Sequence, residues 1–190
     1  MSSDNEISLS GSSVAGKFIG RDDNSFSISS NQDPSLYLQD LYNKFQVEMN
    51  SNPELKEFCE ELDYFNSIID GDVIGLDEKL KAGNREKIIF YAKDLKEKFH
   101  KKLIKTSQYS YIAQDINVYL LAKVKRGFMM EIYSLICNNE SEEKINFLIT
   151  ERIINPVKAE LGINLFKYND EDIMGMIFFL TGNCHLKWNH

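Results

Sequence analysis

The chain has 190 residues, of which 43% are hydrophobic, and its 22 basic and 29 acidic residues give a net charge of −7. This length and apolar content suffice for a buried core, while the acidic balance argues against a dedicated nucleic-acid binder. No apolar run approaches the roughly 18 residues that span a bilayer, and the polar start lacks the features of a signal peptide. With three widely spaced cysteines that offer no disulfide framework, we expect a cytoplasmic protein.

Residues 1–33 are rich in Ser, Gly, Asn and Asp and differ in composition from the rest of the chain. The run from Gly11 to Lys17 has the G-x-x-x-x-G-K spacing of a phosphate-binding loop. Phe18, however, stands where a Ser or Thr hydroxyl would complete the Mg²⁺ shell, and turn residues follow where a helix should begin. We therefore predict no nucleotide site and no other cofactor.

The sparse apolar residues of this region indicate an N-terminal arm. The residues 22–25 separate two short apolar stretches as a hairpin loop would. Because an isolated hairpin is marginal in water, the arm is either disordered or adds strands to a partner chain. The residues that would contact that partner are Val14, Phe18, Ile19, Phe26 and Ile28. On this hypothesis, deleting residues 1–33 leaves the remaining domain folded but weakens the complex.

From residue 34 to residue 190, apolar residues recur at helical spacing, which predicts an all-α bundle of about five to six helices. Asn139 and Glu142 have the spacing of a capping box before the fifth helix, as Asn169 and Asp172 have before the last. The predicted helices cover residues 34–49, 53–69, 85–105, 110–137, 142–161 and 170–180, with one short turn at 77–81.

Two residues should disturb the longest predicted helices. Gly127 lies inside the fourth helix, where glycine costs about 1 kcal/mol relative to alanine, and this indicates close packing or a bend. Pro156 lies inside the fifth helix, where its missing N–H and its ring should bend or split the helix.

The third predicted helix carries a row of lysines that could meet phosphate groups electrostatically. Acidic residues are interspersed among them, and few aromatic residues lie on the polar face, so we favour a solvated helix face. The alternative function is a small nucleic-acid-binding regulator. Its binding residues would be Lys93, Lys98, Lys101, Lys102 and Lys105.

The C-terminal run LTGNCHLKWNH contains the most reactive side chains. Cys184 and His185 are adjacent, and His190 follows five residues later. Adjacency does not place a histidine in space beside a cysteine nucleophile, and zinc needs three or four well-spaced ligands. We therefore expect no catalytic residue and no metal. Instead, Leu186 and Trp188 should dock on the bundle.

Two stretches resemble the helical C-terminal domains of bacterial ABC three-component anti-phage defence systems, of which Lamassu is an example. They are ERIINPV from Glu151 to Val157 and DIMGMIFFLTGNCHLKW from Asp172 to Trp188. In such systems an SMC-type ATPase, a middle component and an effector act together against phage or plasmids. Family effectors usually carry a nuclease or protease ahead of the helical domain, whereas here only the polar residues 1–33 precede it.

The resemblance therefore implies a non-catalytic accessory or adaptor subunit. Such a subunit would link the SMC-type ATPase to an effector nuclease and could restrain the effector until foreign DNA is sensed. DNA would then be contacted through the partners, and we expect neither a membrane nor a small-molecule substrate.

Overall fold

A computed structural model describes residues 35–51, 56–69 and 75–189. Over these ranges the chain is helical and contains no strand, which confirms the all-α prediction for the described part. The predicted arm, with its hairpin and the loop-like run from Gly11 to Lys17, lies outside the described residues. The same holds for the five arm residues predicted to contact a partner, Val14, Phe18, Ile19, Phe26 and Ile28.

Nine α-helices are found in the described ranges, and none of them is long and apolar enough to cross a membrane. A 3₁₀ turn (Glu86–Ile88) precedes α4, and two π-helical turns interrupt the longest helices. The first π turn (Phe128–Ile132) joins α5 to α6, and the second (Thr150–Ile154) joins α7 to α8. The α-helices are α1 (Leu36–Asn50), α2 (Glu60–Asn66), α3 (Leu76–Ala82), α4 (Ile89–Ser107), α5 (Tyr111–Gly127), α6 (Tyr133–Cys137), α7 (Glu142–Ile149), α8 (Asn155–Leu161) and α9 (Asp170–Gly182).

Helix α9 forms the centre of the core. Its sequence is apolar around most of its circumference, as expected for a helix buried on all sides, and every residue from Met176 to Gly182 is buried. It packs against α3, α4 and α5. It approaches α4 closely at Gly175, where an added Cβ would lie 2.7 Å from the Leu95 carbonyl oxygen and 2.8 Å from Phe99 Cβ.

The predicted cap of α9 is confirmed, and the predicted cap of α7 is wrong. Asn169 and Asp172 form a capping box, in which each side chain accepts a hydrogen bond from the other's backbone N–H, at 3.0 and 2.9 Å. At α7 the cap is Ser141, whose hydroxyl accepts from the Lys144 N–H at 3.2 Å. Asn139 instead has a positive φ of 54° just after α6, a conformation that commonly ends helices.

The second helix is shorter than predicted. The apolar periodicity predicted that residues 56–59 are helical, but a side chain of another helix satisfies backbone hydrogen-bonding groups there. Residues 56–59 are not helical, and α2 begins only at Glu60. The buried side chain of Gln114 in α5 accepts from the Cys59 N–H at 2.7 Å and donates to the Glu57 carbonyl at 3.0 Å. Hydrogen bonds supplied from α5 thus replace those of a helix.

Both predicted disturbances coincide with the π turns. Gly127 is the last residue of α5, directly before the first π turn, and a Cβ there would lie 3.4 Å from Ile153 Cγ1 in the second. Pro156 stands in the first turn of α8, directly after the second π turn. Since proline lacks an N–H and clashes with the preceding turn, the widened π geometry admits it without breaking the helix.

Candidate functional site

The C-terminal motif closes onto the core as predicted, with Trp188 at its centre. Trp188 is 1% exposed, and its indole N–H donates to the Thr181 hydroxyl at 2.9 Å. Its ring packs edge-on against Phe128 with centroids 5.0 Å apart, and the Arg85 guanidinium lies 4.9 Å from its centroid. We call the segment Cys184–Trp188 the C-terminal anchor.

Two buried cations hold the C-terminal anchor in place. The Lys79 ammonium donates to the Leu186 carbonyl at 2.7 Å. Burial lowers the pKa of Lys79, and the neighbouring Cys184 opposes part of this decrease. Arg85 donates to the Asn146 side-chain oxygen at 2.9 Å. Burial likewise lowers the pKa of Arg85. Each cation therefore fixes the anchor through a charge-assisted hydrogen bond or a ring contact.

Cys184 and His185, the adjacent pair considered and rejected as a catalytic site, both lie in the packing of the anchor. Cys184 has a positive φ of 65° and makes the turn that leads into the anchor. His185 is 6% exposed and packs against the rings of Tyr64 and Phe65, with centroids 4.9 and 5.4 Å away. Neither of its ring nitrogens makes a well-aligned hydrogen bond among the described residues, although the nearby backbone of Phe65, Tyr64 and Ser67 opposes part of the lowering of its pKa.

The pKa of His185 is lowered, first by burial and second by the charge of Lys125. The described ranges contain no group of three or more His, Cys, Asp or Glu side chains that could hold a metal ion. His190, the third ligand considered for zinc, lies outside them. The role that the structure gives His185 is an aromatic contact between α2 and the anchor.

Four of the five lysines proposed for nucleic-acid binding already pair with carboxylates. Lys102 also donates to the Lys167 carbonyl at 2.8 Å and lies over the Tyr168 ring. A paired lysine would have to exchange a carboxylate for a phosphate, which weakens the case for this face as a nucleic-acid site. Lys105 has no carboxylate partner in the described ranges. The pairs are Lys93–Asp77 (2.6 Å), Lys98–Asp94 (2.7 Å), Lys101–Glu97 (3.2 Å) and Lys102–Asp172 (2.6 Å).

A groove of about 700 Å³ lies between α5 with the first π turn and α8 with the second. Its apolar lining includes the buried side chains of Ile153 and Val157. At its rim, the side chain of Met130 is 71% exposed. We call it the π-turn groove and define it by Ala122, Arg126, Met130, Arg152, Ile153 and Val157.

Some charged side chains of the π-turn groove have an ion-pair partner in the described chain, and others have none. Lys123 forms an ion pair with Glu160, which also accepts from the Tyr119 hydroxyl at 3.0 Å. Arg126 and Arg152 are exposed, and neither guanidinium forms an ion pair or hydrogen bond with another described residue. The groove therefore presents two guanidinium groups whose hydrogen-bond donors face solvent.

The two arginines line one groove because the end of α5 packs against the second π turn. Arg126 immediately precedes Gly127, where an added Cβ would lie 4.0 Å from the Arg152 backbone oxygen. One carboxylate, Glu131, also lines the groove and forms no ion pair with either arginine. Nothing in the spacing or composition of the sequence distinguishes Arg126, Met130 or Arg152 as binding residues. The sequence does contain two residues that indicate the π turns: Gly127 lies directly before the first turn, and Pro156 lies just after the second.

Fold and groove together define a small helical domain with an open groove that is part apolar and part basic. The model of C-terminal domain 9 (CTD9) of the ABC-three component (ABC-3C) systems matches residues 75–188. The chain belongs to this family, which confirms the resemblance seen in its C-terminal stretches. Comparisons with curated proteins and with solved structures gave no match. The matched segment contains both π turns, the groove and the C-terminal anchor.

Proposed function

We propose that this protein is an accessory or adaptor subunit of an ABC-3C defence complex. In this role it holds an SMC-type ATPase and an effector nuclease together and restrains the effector until foreign DNA is sensed. Membership of the CTD9 family over residues 75–188 carries the proposal, because a domain of a three-component system works beside other components.

Exposed side chains of the types enriched at protein interfaces support a binding role. Phe90 at the start of α4 is 87% exposed, and Met130 and Phe147 are also largely exposed. Aromatic residues, methionine and arginine are enriched at interface cores, whereas lysine and glutamate are depleted. Arg126 and Arg152 in the π-turn groove match this composition.

The N-terminal arm supplies a second contact in this proposal. Residues 1–33, which lie outside the described ranges, would add strands to one partner while the helical domain binds another. Two separate contact regions on one chain are what a linking subunit requires.

Co-expression with the other components of the same system tests the proposed function. The tagged full-length chain should co-purify with both the ATPase and the effector in one size-exclusion peak. A chain that lacks residues 1–33 should stay folded, as circular dichroism would show, and should lose one of the two partners. If the full-length chain elutes alone in the presence of both components, the adaptor role is wrong.

A further inference from the structure

We propose that the π-turn groove docks an acidic segment of a partner subunit. The carboxylates of that segment pair with Arg126 and Arg152, and one of its apolar side chains packs beside Met130. This inference rests on the proposed function, since the partner is another component of the same complex.

The positions of the arginines are the first reason to expect a binding site in this groove. The chain has four arginines, of which three lie in the described ranges. Arg85 is buried and hydrogen-bonded in the fold, and the other two both line the π-turn groove. The remaining cations of the described surface are lysines, several of which pair within their own helix.

Guanidinium chemistry indicates what the groove binds. Each guanidinium offers five N–H donors in a planar fork that fits a carboxylate or a phosphate with two hydrogen bonds. Arg126 and Arg152 use none of these donors within the described chain. Both guanidinium groups line the same groove, so an anionic segment bound there gains from both.

The remaining lining favours a protein segment over a nucleic acid. Glu131 lines the groove, and Glu160 is bound to Lys123 at its edge, so a polyanion would meet carboxylates as well as arginines. The apolar part, formed by Ala122, Ile153 and Val157, suits a side chain better than a phosphate backbone. A segment with alternating acidic and apolar residues satisfies both parts.

A photo-crosslinking experiment identifies the occupant. p-Benzoylphenylalanine is placed at Met130 of the full-length chain, and the chain is co-expressed with the ATPase and effector of its system. After irradiation, mass spectrometry should find a crosslinked partner peptide that contains at least two Asp or Glu residues. The same label at Val47 of α1, which is 72% exposed, serves as the control for non-specific capture.

Several results of that experiment would overturn the inference. They are a crosslink to a basic partner peptide, to nucleic acid or to a second copy of this chain, and a yield at Met130 no higher than at Val47.

A charge-swap experiment then tests the arginines themselves. Arg126→Glu combined with Arg152→Glu should weaken binding of the crosslinked partner by about tenfold or more, because carboxylates would face carboxylates. Lysine in place of the crosslinked partner's acidic residues should restore the affinity of that double variant. Lys98→Glu combined with Lys101→Glu makes the same charge change on α4 and should alter affinity by less than about twofold.

The outcomes separate this inference from the proposed function. If the complex forms and its affinity does not respond to the Arg126→Glu and Arg152→Glu changes, the groove inference is wrong and the adaptor role stands. If the unaltered chain forms no complex with either component, both are wrong.

Discussion

The C-terminal anchor and the π-turn groove lie in the same family-matched segment, yet they use their polar groups in opposite ways. In the anchor, the indole of Trp188 and the ammonium of Lys79 each donate to a buried acceptor. In the groove, the guanidiniums of Arg126 and Arg152 have no partner in the described chain. The indole of Trp188 and the ammonium of Lys79 follow the usual rule that buried donors are satisfied within the fold, to which the ring of His185 is an exception, whereas the exposed guanidiniums remain free for another molecule.

This difference separates the residues that stabilise the domain from the residues proposed to bind a partner. The anchor contains the CHLKW run, in which His185, Leu186 and Trp188 are buried and Lys187 is exposed. The groove contains side chains that were inconspicuous in the sequence. The buried residues of the anchor therefore stabilise the domain, and the residues proposed to choose the partner lie at the end of α5 and on the two π turns.

Removing the indole of the anchor should have the largest effect on stability. Trp188→Ala deletes a buried ring that contacts Phe128 and Arg85 and leaves the Thr181 hydroxyl without its donor. We expect the free energy of unfolding to fall by about 3–5 kcal/mol, measured by urea denaturation.

An exposed aromatic residue provides the control for Trp188. Phe90→Ala removes a ring that is almost entirely in solvent and should change the free energy of unfolding by less than about 0.5 kcal/mol. Equal losses for the two variants would show that the anchor does not stabilise the domain through burial.

A methyl group added where α9 packs against α4 should have the next largest effect on stability. In Gly175→Ala, the new Cβ would meet the backbone of Leu95 at 2.7 Å, so α9 and α4 must move apart. We expect a loss of about 1–3 kcal/mol in the free energy of unfolding, measured in the same urea titration.

Gly182→Ala is the matched control for Gly175→Ala on the same helix. There the new Cβ would meet only the flexible end of the Lys96 side chain, which can move aside. We expect a smaller loss in the free energy of unfolding than for Gly175→Ala. A larger loss would show that contact with backbone atoms does not determine the destabilisation.

The sequence predicted the helices well where local and tertiary preferences agree. The buried stripes of α4 and α5 and the Asn169 cap follow from spacing that the fold then uses. The prediction failed at residues 56–59, where apolar spacing continued but the buried Gln114 supplied the backbone hydrogen bonds. A partner 55 residues away leaves no trace in local periodicity.

The groove could be predicted only in part. Gly127 and Pro156 signalled that two helices are disturbed, and in the structure each disturbance is a π turn, with Gly127 beside Ile153 of the second turn. That Arg126 and Arg152 converge depends on the antiparallel pairing of the two helices, which spacing along the chain does not fix. Whether Lys102 is free or paired likewise depends on Asp172, a residue far away in sequence.

The buried imidazole of the anchor should make stability depend on pH. Burial against Tyr64 and Phe65, together with Lys125, lowers the pKa of His185 below its ordinary 6.5. As the pH falls through that value, the unfolded chain takes up a proton that the folded chain resists, so the free energy of unfolding decreases. This contribution is complete above about pH 6.5 and is lost progressively below it.

His185→Phe keeps an aromatic ring in this position and cannot be protonated. Its free energy of unfolding should therefore change less between about pH 7.5 and 5.5 than that of the unaltered chain, as urea titrations at both values would show. Parallel pH dependences for the two proteins would exclude His185 as the source.

The smallest effect on stability should come from the groove. Arg126→Glu and Arg152→Glu alter exposed side chains without partners in the described chain, so the free energy of unfolding should change by less than about 0.5 kcal/mol for each variant. A loss above about 1 kcal/mol in the urea titration would show that the arginines serve the fold, as Arg85 does in the anchor. A negligible change in stability beside weakened partner binding would assign the anchor to folding and the groove to recognition.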